Sequence, residues 1–407
     1  MIRKKLFSFV TSIILLTSTL PSHSDIKIGI LHSLSGTMAI SETTLKDTML
    51  MLIDKQNAKG GINGEKLVPV VVDPASDWPL FAEKARELLT VQGVDVMFGC
   101  WTSVSRKSVL PVIEELNGLL FYPVQYEGEE SSKNVFYTGA APNQQAIPAT
   151  DYYLEELGVE KFALLGTDYV YPRTTNKILN QYLIDKGIPA SDIFVNYTPF
   201  GHSDWSKIVA DVVALGADGK KVGVISTING DANIGFYKEL AAAGISADDI
   251  PVVAFSVGEE ELSGLDTANL VGHLAAWNYF QSAESDLNDA FIKDWKATMG
   301  ENRVTNDPME AHVIGFEMYV KAVEKAGTTD VDAVRKAMYG LKVPNLTGGM
   351  AEMLPNHHLS KPVIIGEIQA DGQFDIISQT SEVPGDAWTD YLAVSYTHLR
   401  AHETKWH

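Results

Sequence analysis

The first third of the chain alternates short apolar runs with longer segments in which apolar residues recur every three or four positions. Short apolar runs are typical of buried strands, and the longer periodic segments are typical of helices. Strands are predicted at 26–31, 67–72, 94–99 and 119–122, and helices at 44–58, 79–91 and 103–117. Repeated strand–helix units predict a parallel sheet with helices on both faces.

The same alternation restarts near residue 162 and then changes. Further strands are predicted at 162–165, 193–197, 221–225 and 250–255, with a helix between each pair. Three successive helices are then predicted at 285–299, 308–326 and 331–338. Asp307 is the predicted cap of the second of these helices, and Gly327 stands just past its end. Two late apolar runs flank Asp371 and Gly372, which indicates a hairpin.

These patterns predict an α/β protein of two doubly wound parallel-sheet lobes joined by a multi-strand hinge. Helices after a completed second lobe, followed by a late hairpin, indicate that the chain returns to the first lobe and crosses again. The predicted lobe 1 comprises residues 25–142 and 275–352, and the predicted lobe 2 comprises residues 143–274 and 353–393. A ligand is expected in the cleft, at the carboxyl ends of the strands.

The two ends of the chain differ from the rest. Residues 1–24 have a basic start, an apolar stretch and a small-residue cleavage pattern, which are typical of a secretory signal peptide. The apolar stretch is shorter than the roughly 20 residues that a spanning helix needs. The sequence therefore predicts export, cleavage and a periplasmic location rather than a membrane anchor. Residues 394–407 read like a non-native tail, and the alternative is a histidine-rich metal tail.

Composition and charge narrow the function. The chain has 407 residues, of which 45% are hydrophobic and 21% charged, which is typical of a globular protein of more than one domain. Its 32 Lys and Arg against 52 Asp and Glu give a net charge of −20. A negative field repels phosphate backbones, so no nucleic-acid partner is expected. The single Cys100 excludes an intramolecular disulfide framework and a thiolate zinc cluster.

Polar and aromatic side chains follow the predicted strands of both lobes. Thr102 or Ser103 begins a helix whose free N–H groups are able to donate to a carbonyl or carboxylate oxygen, and Trp101 beside them offers a flat apolar face. The alternative is an ordinary helix cap with an anchoring aromatic residue. The further candidates are Tyr122, Gln125, Tyr126, Asp168, Tyr169, Tyr171, Asn229, Glu260 and Glu261. This lining fits a small neutral polar ligand, and no cofactor is expected.

Enzyme signatures are weak by comparison. The sequence has neither a phosphate-binding Gly-rich fingerprint nor a zinc-protease motif. Residues 254–258 come nearest to a hydrolase nucleophile elbow, but Ala254 stands where the elbow has its first Gly. Cys100 follows a buried strand and is expected to be inert packing, and His357 and His358 favour a structural loop pair over a metal site. The sequence predicts no enzyme and no metal site, and a secreted amidohydrolase is the enzymatic alternative.

Several strings resemble type I periplasmic solute-binding proteins. Residues 28–36 and 57–64 are similar to the opening of these proteins. The strings GCWTSVSRK (99–107), LFYPVQYEG (120–128), YTGAAPNQ (137–144) and DYVYPR (168–173) resemble their urea and short-chain-amide branch. The resemblance covers residues 25–392.

The resemblance implies the substrate-binding component of an ABC importer, which captures urea or a closely related small amide between its lobes and delivers it to permease subunits at the membrane. It implies ligand contacts at Ser103, Tyr122, Val124, Tyr169 and Tyr171. Trp101 stands where amide sensors commonly carry Tyr, and Val124 and Gln125 stand where they carry Thr-Pro, so urea and simple amides both stay open.

Two further functions stay open beside urea and amide capture. One is a branched-chain amino-acid binding protein, in which Glu260 or Glu261 would face the ammonium group of the ligand. The second is a sensor that presents its ligand to a membrane receptor.

Urea has a chemistry that such a lining suits. It is planar and neutral, with four N–H donors and one carbonyl acceptor. An unmade buried hydrogen bond costs roughly 1–3 kcal/mol, so a site that matches these groups rejects other ligands steeply. We expect the N–H groups near Thr102 and Ser103 to bind the carbonyl, and oxygens across the cleft to accept the N–H groups.

Overall fold

The computed structural model describes residues 25–392, so the predicted signal peptide and the predicted tail lie outside the described residues. The first part of the chain forms five strands, β1 (Ile26–Leu31), β2 (Leu67–Val72), β3 (Val96–Gly99), β4 (Leu120–Tyr122) and β5 (Val135–Tyr137). Three helices lie between them, α1 (Ala39–Ala58), α2 (Trp78–Glu87) and α3 (Ser103–Glu115). The strands form one parallel sheet in the order β2-β1-β3-β4-β5.

The middle of the chain repeats this arrangement. Its strands are β6 (Lys161–Thr167), β7 (Ile193–Thr198), β8 (Val222–Thr227), β9 (Val252–Ala254) and β10 (Leu274–Trp277). Its helices are α4 (Ala146–Glu155), α5 (Val170–Asp185), α6 (Ser206–Leu215), α7 (Ala232–Ala242) and the short α8 (Glu259–Leu262). The strands β7, β6, β8, β9 and β10 are parallel neighbours in a second sheet.

The last part of the chain serves both lobes. Its helices are α9 (Asp286–Met299), α10 (Asp307–Ala326) and α11 (Val331–Met338). Its strands are β11 (Lys342–Pro344), β12 (Met350–Met353), β13 (Leu359–Lys361), β14 (Ile364–Ile368), β15 (Phe374–Gln379) and β16 (Val383–Pro384). The predicted hairpin is β14–β15, which extends the second sheet antiparallel next to β10. The strands β11, β12, β13 and β16 form a small antiparallel sheet of their own.

Each large sheet is covered on both faces, as the strand–helix alternation predicts. Along β1, Ile28 and Ile30 point into one buried cluster, which they share with Ile314 and Met318 of α10, while Leu31 points into the opposite cluster. In the second sheet, Ala163 and Leu165 of β6 likewise point into one buried cluster. The alternating residues Phe162 and Leu164 point into the cluster on the opposite face. The doubly wound two-lobe fold class predicted from the sequence is confirmed.

The sheets place some segments differently from the predicted lobe boundaries, which stay a prediction. Strand β10 extends the second sheet, so the chain leaves that sheet after Trp277 rather than before residue 275. Strand β13 begins with Leu359, which packs in a cluster with Ile28 and Ile30 of the first sheet, although residues from 353 onward were expected in lobe 2. Short buried strands look alike in sequence, and only pairing decides their sheet.

Asn306, not Asp307, caps helix α10. The Asn306 side chain accepts the N–H of Met309, and Asp307 is the first helical residue. Asp307 is buried, and it accepts the backbone N–H of Asn278, which lies where the chain leaves the second sheet. The prediction of Asp307 as the cap was therefore wrong by one residue, because both Asn and Asp suit that position.

Asn278 connects three of the places where the chain passes between the lobes. Its side-chain NH₂ donates to the carbonyl of Gln144 at 3.1 Å and to the carbonyl of Pro362 at 2.7 Å. Gln144 precedes α4, Asn278 follows β10 and Pro362 lies between β13 and β14. One buried amide thus joins three crossing segments.

Candidate functional site

A strained turn at the end of β3 presents the first candidate residues to the cleft. Gly99 has φ +158°, and a Cβ on it would lie 2.1 Å from the carbonyl oxygen of Leu31. Cys100 follows in the left-handed region at φ +69° and is fully buried. Residues other than glycine seldom adopt this conformation, and such turns are concentrated at functional sites. The turn brings Trp101 and the start of α3 to the carboxyl edge of the first sheet.

Thr102 caps helix α3, and Ser103 is its first residue. The Thr102 hydroxyl accepts the N–H of Ser105 at 3.4 Å, while the Ser105 hydroxyl accepts the N–H of Thr102 at 2.8 Å. This reciprocal pair is a capping box, which fixes the helix start. The Ser103 side chain is therefore not needed for capping and is available for another role.

The Ser103 hydroxyl donates to a buried carboxylate that is absent from the candidates predicted from the sequence. Its Oγ lies 2.5 Å from Oε2 of Glu127, and both residues are 1% exposed. Arg106, one turn along α3 on the same face, donates from Nη1 to Ser103 Oγ at 3.3 Å and approaches Glu127 Oε1 with Nη2 at 3.5 Å. Ser103, Arg106 and Glu127 thus form one hydrogen-bonded group on the first lobe.

Arg106 is itself held from several sides. Its Nε donates to Oε1 of Glu130 at 2.7 Å, and its guanidinium lies 4.6 Å from the ring centres of both Tyr122 and Tyr126. Burial alone would lower the pKa of Arg106, but the charges of Glu130 and Glu127 raise it well above its ordinary value. Arg106 therefore stays a cation whose position is fixed by stacking and by its carboxylate partners.

Unpartnered polar atoms from both lobes collect beside this group. Within the described residues, no hydrogen bond reaches the hydroxyl oxygens of Tyr122 and Tyr171, Oε1 of Gln125 or Oε1 of Glu127. All four residues are at most 2% exposed. Burial raises the pKa of Tyr122 and of Tyr171, and the charge of Glu127 adds to the rise in each. A buried polar group without a partner is costly, and such groups point to a site for a bound molecule.

Hydrogen bonds between side chains join the lobes on two sides of the cleft. Gln125 Nε2 donates to the hydroxyl of Ser256 at 2.6 Å, and the Trp101 indole N–H lies 3.4 Å from Oδ1 of Asn229. On another side of the cleft, the Ser41 hydroxyl of α1 donates to Oε1 of Glu261 at 2.6 Å. The lobes therefore contact each other through side chains.

The structure brings some predicted residues into this neighbourhood and not others. Five of the predicted residues belong to the group around Glu127 and the unpartnered oxygens: Trp101, Ser103, Tyr122, Gln125 and Tyr171. Val124 is buried, and its carbonyl carbon lies against Gly139, where a Cβ would come within 2.1 Å. The partly exposed Tyr169 ring lies 6.1 Å from the ring of Tyr171. Thr102 contributes the cap, and Asn229 contributes its bond to Trp101.

Two predicted residues have partners outside this neighbourhood. The Tyr126 hydroxyl pairs with Nε2 of His358 at 2.6 Å, and its ring stacks on Tyr137. The exposed Asp168 accepts from Nε of Arg173 at 2.5 Å. The prediction for Tyr126 and Asp168 gains no support from their geometry.

The two predicted glutamates of α8 face other parts of the cleft. Oε2 of Glu261 accepts the N–H of Gly258 at 3.0 Å, so its two oxygens serve the helix start and Ser41. Glu260 is partly exposed, and burial together with the charge of Glu261 raises its pKa to about 7. Neither carboxylate is placed among the unpartnered atoms, and their assignment to a ligand stays a prediction.

The residues that sequence reasoning missed carried a partial signal. Arg106 follows Ser103 by three positions, which places both on one face of α3. Glu127 belongs to the same resembling string as Tyr122 and Gln125. Ser256 follows β9 as the other candidates follow their strands. The sequence pattern does not indicate that Arg106 is buried, because an arginine in the first turn of a helix is usually exposed to solvent.

Comparison with known proteins agrees with this architecture. A family model described as a periplasmic binding protein domain matches residues 26–394. Among curated relatives, the Leu/Ile/Val-binding protein homolog 3 of Brucella melitensis is 25% identical over 350 residues, covering 84% of this chain and 90% of that protein. The Leu/Ile/Val-binding protein BraC3 of Rhizobium johnstonii is 25% identical over 337 residues, covering 80% and 87%.

Solved structures share the fold at low sequence identity. An ABC transporter solute-binding protein from R. palustris, in complex with 4-hydroxybenzoate, has a TM-score of 0.76 at 19% identity, covering 88% of this chain and 97% of that one. A leucine-binding protein from Thermotoga maritima has a TM-score of 0.75 at 14% identity, covering 88% and 99%. Across residues 25–392, no helix has the length and apolar character needed to cross a membrane. The chain belongs to the periplasmic binding protein family.

Proposed function

We propose that this protein captures urea, or a closely related small amide, in the interlobe cleft and delivers it to ABC permease subunits. The observation that carries the proposal is the set of buried, unpartnered oxygens on Tyr122, Gln125, Glu127 and Tyr171. All four oxygens are able to accept a hydrogen bond. A ligand that satisfies them has several N–H donors, and urea has four.

The charges of the site favour a neutral ligand. Two cations, Arg106 and Lys107, lie beside two carboxylates, Glu127 and Glu130, at distances of 2.7 to 3.6 Å. The four charges balance one another without a ligand. A ligand carboxylate would meet Glu127 with both nearby cations already paired, which costs free energy in a buried site.

The start of α3 supplies the donor end of the site. The first N–H groups of a helix have no intrahelical partner, and they suit the carbonyl oxygen of urea. Ser103 is the first residue of this helix, and its side chain lies on Glu127. The proposed arrangement has the carbonyl near the helix start and the amino groups toward the oxygens of Glu127 and the second lobe.

The names of the relatives favour a second candidate, a branched-chain amino-acid binding protein. An amino acid needs a carboxylate beside its ammonium group and unpaired donors for its own carboxylate. Glu127 would serve the first need, but Arg106 and Lys107 are engaged by Glu130 and Glu127. The charge balance therefore supports urea over leucine.

Calorimetric titration of the purified protein with urea, acetamide, formamide and leucine tests the proposal. We expect saturable binding of urea at least about tenfold tighter than that of leucine, a difference of about 1.4 kcal/mol. Tight binding of leucine without binding of urea would overturn the proposal and indicate an amino-acid binding protein instead. Release of ammonia from urea or acetamide in the same samples would instead indicate an amidohydrolase.

A further inference from the structure

We infer that Glu127 is the residue that sets the preference of this site for urea over amides with a single amino group. The inference rests on the proposed function and names a residue for its specificity. Glu127 lies on the segment after β4, in contact with Ser103 at the start of α3 and 3.5 Å from Arg106, whose guanidinium lies 4.6 Å from the ring centre of Tyr122. Among the four unpartnered acceptors of Tyr122, Gln125, Glu127 and Tyr171, it supplies the carboxylate.

The two oxygens of Glu127 have different environments. Oε2 accepts the short hydrogen bond from Ser103. Oε1 lies 3.5 Å from Nη2 of Arg106 and 3.6 Å from Nζ of Lys107, and no hydrogen bond reaches it within the described residues. The cations therefore compensate the charge of Glu127 while leaving one oxygen with its accepting capacity unused.

A carboxylate oxygen in this state selects for donors. An ionised carboxylate accepts hydrogen bonds and donates none, whereas a tyrosine hydroxyl does both. Tyr122 and Tyr171 are therefore able to adjust to an acceptor or a donor on the ligand, but Glu127 is not. A ligand that presents a methyl group or an oxygen to Oε1 leaves the carboxylate unsatisfied, and a ligand that presents N–H gains a charge-assisted bond.

Arg106 keeps Glu127 from adapting to the wrong ligand. The guanidinium is fixed by Glu130 and by the rings of Tyr122 and Tyr126, so it is not free to turn toward Glu127 and use up its second oxygen. Ser103 holds the other oxygen. The carboxylate of Glu127 is therefore held in place before the ligand binds. A binding site with a fixed buried acceptor rejects a ligand analogue that lacks the matching donor.

Urea and acetamide form the discriminating pair. They share a carbonyl and one amino group, and acetamide has a methyl group where urea has its second amino group. If Oε1 of Glu127 accepts from that second amino group, its loss affects urea binding and leaves acetamide binding nearly unchanged. A merely structural role for Glu127 would weaken both ligands equally.

The test compares the dissociation constants of urea and acetamide for the full-length mature protein and its variants. Glu127→Met removes both oxygens at similar length, Glu127→Gln keeps a neutral acceptor, and Glu115→Gln is the control, at an exposed carboxylate paired with Arg86. We expect the wild-type protein to bind urea more tightly than acetamide. We expect Glu127→Met to reduce the ratio of the two dissociation constants at least about tenfold and Glu127→Gln to reduce it less. The control variant is expected to keep the wild-type ratio.

The contrary outcomes separate this inference from the proposed function. An unchanged preference in both Glu127 variants overturns the role of Glu127, although the proposed function survives because the wild-type protein still binds urea. A wild-type protein that binds both ligands equally also overturns it. If Glu127→Met shows no cooperative thermal unfolding, the role of Glu127 is judged only from the preference of Glu127→Gln for urea over acetamide. Absence of urea and acetamide binding by the wild-type protein, with leucine binding instead, overturns the proposed function and this inference with it.

Discussion

Glu130 in the first lobe and Glu259 in the second are buried carboxylates with contrasting surroundings. Glu130 contacts Arg106 and Lys107 at 2.7 Å each. Burial alone would raise its pKa, but these two cations lower the value to about 2. Burial raises the pKa of Glu259 to about 8, and the charges of Glu261 and Asp307 add to the rise. The same residue type is strongly ionised in one lobe and close to neutral in the other.

The difference separates two uses of acidic residues at one cleft. In the first lobe, Arg106 and Lys107 pair with Glu130 and lie 3.5 and 3.6 Å from Oε1 of Glu127. In the second lobe, Glu259 accepts the N–H of Gln281, and Glu261 accepts from Ser41 and Gly258, so these carboxylates hold the backbone and the opposite lobe. Charge in the first lobe is available for recognition, and the second-lobe carboxylates hold the closed arrangement in place.

The largest expected effect comes from removing the cation of the first lobe. Arg106→Met leaves Glu127 and Glu130 buried with only the partly exposed Lys107 beside them, and breaking a buried ion pair from one side typically costs about 3–5 kcal/mol. We expect a loss of that order in the free energy of unfolding, measured with chemical denaturant. The control is Arg86→Met, which removes the exposed pair with Glu115 and is expected to leave stability within error.

Ser103 and Thr102 form the next test, because they are neighbours with separate roles. Ser103→Ala removes the donor to Glu127 and is expected to raise the urea dissociation constant at least about tenfold, and to lower stability by about 1–3 kcal/mol because Oε2 of Glu127 loses its buried partner. Thr102→Ala removes the cap of α3 and is expected to cost about 1 kcal/mol of stability with a smaller effect on binding. Calorimetry and thermal unfolding on both variants check this, and equal effects of the two would show that the roles are not separate.

Ser41→Ala tests the second-lobe use of carboxylates. It removes the interlobe hydrogen bond to Glu261 without touching the unpartnered oxygens, so it disfavours the closed arrangement. We expect a loss of urea affinity of about tenfold or less, with a smaller decrease in the radius of gyration at a fixed urea concentration, measured by X-ray scattering. Thr43→Ala is the matched control, since the Thr43 hydroxyl donates only to Ala39 of the same helix.

The smallest expected effect is the pH dependence of stability at Glu259. Because its pKa is raised in the folded state, its contribution is fully present below about pH 4.5 and is lost as the pH rises through about 8. Glu259→Gln should therefore raise the melting temperature at pH 8 relative to pH 5 by about 2 °C or more. Glu130 has the opposite sign, since its lowered pKa means that its contribution is lost as the pH falls from about 4.5 toward 2. A pH-independent effect of Glu259→Gln would remove the contrast between the lobes.

Most of the fold follows from the sequence because its information is local. Strand–helix alternation predicted the long strands and helices within a few residues and the two doubly wound lobes. The short strands β5, β10 and β13 were not predicted, because three or four apolar residues carry too little pattern to separate a strand from a loop. Their assignment to one sheet or another depends on pairing between distant segments, as β10 in the second sheet illustrates.

The candidate site divides in the same way. Ser103, Tyr122, Gln125 and Tyr171 were predicted because they follow strand ends, and parallel strands bring those ends to one edge. The sequence by itself determined which residues follow the strand ends, since that depends on their positions along the elements, and their contacts with a ligand stay a prediction.

Only the tertiary structure decided which of the acidic residues has cations beside it there. Glu127 gains Arg106 and Lys107 as neighbours through packing, whereas Glu261 meets Ser41 from the opposite lobe. Charge in a buried place depends on partners within a few ångströms, which come from elements far apart in the chain. For this reason the sequence predicted Glu260 and Glu261 as ligand contacts, whereas the structure points to Glu127.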